Sequence, residues 1–150
     1  MPLPLDAVIR LSRLLSLLVL ATIGVWLVRV VNVFGDETLS GSSRLWRLLV
    51  ATGFLVFAGV MMAVLSGRWA GHRLGSTRLV AMFCLWTMVF WAVRSIGILL
   101  GDYDTGFTLV HVMLAVVFVG GSLPVYRLDQ RITRRQQPIS RTRHGLRPDR

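Results

Sequence analysis

The chain has 150 residues, 54% of them hydrophobic, with a mean hydropathy of +0.64 and a formal net charge of +10. That length is expected to hold four membrane spans and a tail, with no room for a separate soluble domain. The single cysteine, Cys84, excludes an intrachain disulfide and any cysteine-built metal cluster, and is read as a small core residue.

The opening MPLPLDAVIRLSR sets Leu3, Leu5, Val8, Ile9 and Leu11 against Asp6, Arg10 and Arg13. Residues 1–13 read either as a short interfacial helix capped at Asp6, or as a frayed extension of the first span. That first apolar segment runs from Leu14 to Phe34 and leads directly into GDETLSGSSR. No small-residue cleavage site comes after it, so it is expected to stay in the membrane as a signal anchor. The second, Leu48 to Ser66, carries no charge, whereas a soluble helix of that length would show a polar stripe. The third, Leu79 to Leu100, and the fourth, Phe107 to Tyr126, are separated by GDYDTG. Each is close to the ~20 residues needed to cross ~30 Å of hydrocarbon.

Orientation is set by the arginines. Arg10 and Arg13 precede the first span, Arg68, Arg73 and Arg78 fill the second linker, and the segment from Arg127 to Arg150 is rich in arginine. Asp36, Glu37, Asp102 and Asp104 occupy the other two linkers, with Arg44 and Arg47 as the dissenting charges. The positive-inside tendency then places both termini in the cytoplasm. The sequence predicts an all-α integral membrane protein: an antiparallel bundle of four transmembrane helices with a mobile basic C-terminal tail, residues 127–150. Arg supplies all the basic residues and Lys none, which fits a GC-rich genome and a bacterial inner membrane.

The tail residues Arg127, Arg131, Arg134, Arg135, Arg141 and Arg143 suit anionic lipid headgroups or an acidic partner. At roughly 1 kcal/mol per basic residue near an anionic leaflet, a few would hold the tail to the surface. No aromatic residue lies beyond Tyr126 to stack on bases, so no nucleic acid is expected. Gly59, Ala63 and Gly67, and again Gly97 and Gly101, recur at four-residue spacing, which lets another backbone approach closely. The expected use is packing inside the bundle, with self-association as the other use. Trp46 and Trp69 flank the second span as interfacial anchors, and Trp86, Trp91, Phe83 and Phe90 read as packing or lipid-facing groups within the third.

The polar groups within the spans are the candidate site, because an intramembrane charge costs at least ~2.5 kcal/mol unless paired or wet. Arg29, Arg94 and His111 fall about 6 to 9 Å inside the outer ends of their spans at the helical rise. Asn32, Ser95 and Thr108 share that layer, with Asp102 and Asp104 just above it. If the fourth helix begins in GDYDTG, Asp104, Thr108 and His111 share a face, and the aspartate is placed to orient the histidine. The simpler alternatives are that both arginines snorkel outward and that His111 is hydrogen-bonded packing.

Enzyme classes mostly fail against these residues. His111 is the only histidine in a span, so one chain cannot supply a haem-ligating pair, and HExxH, GxSxG and Walker-type loops are absent. Every acidic residue lies outside the four segments, which argues against a carboxylate-driven transporter. No cofactor and no metal are expected. Two readings remain. One is a non-catalytic accessory or interaction subunit, docking on a membrane protein partner or on itself. The other is an oligomeric pore, holin-like in layout only.

Overall fold

A computed structural model describes residues 5–67 and 78–136; the expectations for Trp69, the arginines of the second linker before Arg78 and the end of the basic tail, including Arg141 and Arg143, lie outside them. Four α-helices make up the described chain: α1 (Leu5–Gly35), α2 (Gly41–Leu65), α3 (Arg78–Leu99) and α4 (Thr105–Gln136). All four are long and apolar enough to cross a membrane, the property of a multi-pass membrane protein.

Helix α1 is one unbroken element of 31 residues, so the described residues before Leu14 continue the first span instead of forming a separate helix. Nothing after Pro4 interrupts it, and Asp6 in the first turn complements the positive end of the helix dipole. Helix α4 likewise continues ten residues past Tyr126, so the stretch expected to begin a mobile tail is helical as far as Gln136. The reason is visible in its burial. Val125, Asp129 and Ile132 are buried at helical spacing, while Arg127 and Arg131 between them and Arg134 after them are exposed, and the next proline is Pro138.

The connections are built by local hydrogen bonds. Asp36 Oδ1 accepts from the Thr38 amide at 3.1 Å and from the Thr38 hydroxyl at 2.5 Å, closing a tight turn after α1. Ser40 caps α2 in extended geometry (φ −62°, ψ 152°), its side chain accepting from the Ser43 amide. Arg44 Nη2 donates back to the Asp36 carbonyl at 2.9 Å. At the far end of α2, Gly67 adopts φ +69°, the left-handed conformation that terminates helices and favours glycine. Gly67 therefore ends a helix.

Between α3 and α4, Asp104 Oδ2 accepts from the amides of Gly106 (2.9 Å) and Phe107 (3.3 Å), capping α4. Gly101 is required by a close approach. A Cβ there would lie 2.5 Å from Tyr103 Cε2 and 3.2 Å from the Gly97 carbonyl oxygen. The Tyr103 ring thus packs against the bare backbone at Gly101.

Two compact units result. One, Arg13–His72, contains most of α1 and all of α2, where Trp26 stacks on Phe54 with ring centroids 4.4 Å apart. Its buried residues include Leu15, Val19, Ala51, Ala58 and Met61, and Thr22 satisfies its hydroxyl by donating to the Leu18 carbonyl at 2.8 Å. The other unit contains the first turns of α1 together with α3 and α4, which pack along one another. Within the most apolar 18-residue stretch of each span, only 28% of the residues in the first three and 17% in the fourth are buried.

Candidate functional site

The seam of the α3–α4 pair sets buried residues on each helix at intervals of three and four. On α4 these are Ala115, Phe118, Ser122, Val125, Asp129 and Ile132, with half-buried His111 continuing the series outward. On α3 the buried residues are Val80, Phe83, Cys84, Thr87, Trp91 and Ile98, with half-buried Arg94 and Ser95 between the last two. This is the spacing that keeps one stripe of a helix facing a neighbour. Trp91 and Phe118 fix the pairing, their rings stacked at 5.0 Å and 3° from parallel.

Three polar side chains interrupt this apolar seam. Thr87 and Ser122 are completely buried and Asp129 is 2% exposed. Thr87 Oγ1, Ser122 Oγ and Asp129 Oδ1 have no hydrogen-bond partner among the described residues. Helical Ser and Thr ordinarily satisfy themselves on the carbonyl four residues back, as Thr22 does and as Thr133 does on the Asp129 carbonyl at 3.0 Å. Thr87 and Ser122 do not. Thr87 lies four residues before Trp91 and Ser122 four residues after Phe118, so each is one turn from the stacked rings. Pro124 adds a further polar group near Ser122, since a proline has no amide to donate to the carbonyl of Gly120.

The outer layer resolves differently from its sequence expectation. His111 Nδ1 lies 2.8 Å from the Phe107 carbonyl oxygen, and its ring packs 4.0 Å from that of Phe107, which in turn stacks on Tyr103 at 5.2 Å. Asp104 spends its carboxylate on the α4 cap, so it does not orient His111. The bond to a carbonyl oxygen requires Nδ1 to carry a proton. Thr108 and Arg94 are half-buried, while Asp102 is exposed. Ser95 Oγ is buried without a partner among the described residues. Arg29 (half-buried) and Asn32 (exposed) belong to the other compact unit.

In the α1–α2 turn, the Thr38 hydroxyl bonded to Asp36 holds that carboxyl below the ordinary carboxylate range, helped by the Thr38 amide and by Arg47 and Arg44. Gly59 and Gly97 are exposed, and a Cβ built on either meets nothing within 4 Å. Among the described residues, no group of three or more His, Cys, Asp or Glu side chains is placed to hold a metal ion.

Sequence reasoning overlooked Thr87, Ser122 and Asp129. The signal was the three-and-four spacing of α4 continued beyond Tyr126, which carries Asp129 onto the buried stripe with Phe118 and Ser122. Comparison with known protein families, with curated proteins and with solved structures finds no match to this chain.

Proposed function

We propose that this protein is a non-catalytic interaction subunit of the membrane, using its small-residue helix faces to dock a partner helix from another membrane protein or a second copy. The observation that carries this reading is the open surface at Gly59 and Gly97, where no described neighbour lies within 4 Å of a built Cβ. Glycines in a membrane helix leave a shallow groove into which another backbone packs closely, and in lipid that close packing is what drives association. Large apolar side chains such as Val56, Val93 and Ile96 are exposed on the same helices.

In this reading the four spans run antiparallel with both termini in the cytoplasm, in a bacterial inner membrane. Support comes from the arginines outside the spans and from the acidic turns at Asp36 and Asp104. The exposed Arg127, Arg131 and Arg134 on the last turns of α4 then meet anionic headgroups at the cytoplasmic surface, with the remaining tail arginines adding to that attraction.

The test is native-gel migration and co-purification of the chain from its own membranes, compared with Gly59→Leu and Gly97→Leu. Loss of a specific complex, with insertion and abundance unchanged, supports the reading. An unchanged complex in both variants removes it.

The second reading, an oligomeric pore, draws on the unpartnered Thr87, Ser122 and Asp129, the kind of groups that line a wet path. It predicts loss of membrane potential on expression, whereas an interaction subunit leaves the potential intact.

A further inference from the structure

We propose that Asp129 is a proton-binding site, and that occupancy of this site governs how tightly the ends of α3 and α4 around it pack together. Asp129 lies on the buried stripe of α4 between Val125 and Ile132, 2% exposed, with Oδ1 enclosed and unpartnered among the described residues. A carboxylate stripped of water and given no counter-charge costs several kcal/mol to hold, whereas the neutral acid costs far less.

Among the described residues, the ionisable groups of the surrounding elements do not relieve that cost. On its own helix Arg127 and Arg131 are two residues away, on the opposite face, and both are exposed, as is Arg134. Tyr126 is half-buried three residues before it. On α3, Arg78 is exposed, and the buried group is Cys84, near enough to Asp129 for charge on one to be felt by the other. From the first turns of α1, Asp6 and Arg10 are exposed. No ion pair to Asp129 exists among these residues.

A metal cation fits the site poorly. It requires several oxygens at about 2.3–2.6 Å. Ser122, the nearest buried hydroxyl on the stripe, is seven residues away, about 10 Å along the helix. A proton needs only the one carboxyl group. Pro124 lies between Ser122 and Asp129 and removes a backbone hydrogen bond, so this half of α4 is the half able to yield when the acid ionises.

The experiment uses the full chain in lipid nanodiscs. In the infrared difference between the native protein and Asp129→Asn, we expect a carboxylic-acid carbonyl band at neutral pH that shifts in heavy water and disappears on alkalinisation. As the band disappears, maleimide labelling of Cys84 in the native chain should rise relative to Asp129→Asn by roughly tenfold, the factor that 1.4 kcal/mol of opening provides. Carboxylate bands alone at neutral pH would overturn the proposal. So would a labelling ratio that stays flat with pH, or a band that responds to sodium at fixed pH, which would make the ligand a metal cation. Should Asp129→Asn fail to fold, carbon-13 labelling of aspartate in the native chain reads the same titration: a carboxyl carbon still in its acid position at neutral pH supports the proposal, and uniform ionisation overturns it.

Discussion

Trp91 of α3 and Phe118 of α4 stack with ring centroids 5.0 Å apart and planes 3° from parallel, both buried in the seam between their helices. Both side chains are large, and their offset contact adds to the area they bury. Replacing Phe118 by Ala removes one ring and leaves a cavity under the other. The variant is expected to lose about 3 kcal/mol, read by denaturant or steric-trap unfolding in bilayers, with a matching change in Trp91 emission.

Gly101 predicts a steric conflict that can be relieved. Gly101→Ala brings a methyl group to 2.5 Å from the Tyr103 ring and to 3.2 Å from the Gly97 carbonyl. The single variant should unfold more readily, and the double variant Gly101→Ala with Tyr103→Ala should recover part of the loss in the same assay. Equal effects in the single and double variants would place the strain elsewhere.

Pro124 sits inside α4, leaving the Gly120 carbonyl without its helical donor. Pro124→Ala restores that bond and should raise stability, by up to about 3 kcal/mol if the freed carbonyl is not satisfied elsewhere. Amide hydrogen exchange across residues 120–128 should slow in the variant.

Asp36 makes the pH prediction. Its folded-state value is depressed, first by the Thr38 hydroxyl, so its contribution to the α1–α2 turn is full above the unfolded carboxylate range. That contribution is lost as pH falls through the depressed folded value. Thr38→Val removes the hydroxyl donor and should move the Asp36 carboxyl titration upward in NMR, toward the ordinary value. An unchanged midpoint would assign the depression to Arg47 and Arg44 instead.

The four helices were legible because the bilayer demands long uncharged segments, and the turns were legible where the sequence punctuates them. The first span ends at Gly35 against an expected Phe34, and α4 starts at Thr105 against Phe107. On the arginine-rich side helical hydrogen bonding runs past the first charge: α1 begins at Leu5, as an extension of the first span, and α4 continues beyond Tyr126 to Gln136. A span that ends at Tyr126 leaves Asp129 in the tail, although its spacing from Ser122 and Val125 places it on the buried face. At the outer end, α4 starts at Thr105, so Asp104 caps the helix from outside it and the His111 ring turns to the Phe107 carbonyl. Spacing identifies a shared face, and competition with backbone donors decides the partner.

The most direct measurement of the central claim is photo-crosslinking in native membranes from a diazirine amino acid placed at Gly59, at Gly97 and at the exposed control Val116. An interaction subunit gives a discrete protein adduct, of one reproducible mass, from positions 59 and 97, and lipid adducts from 116. Lipid adducts alone from all three positions would contradict the account.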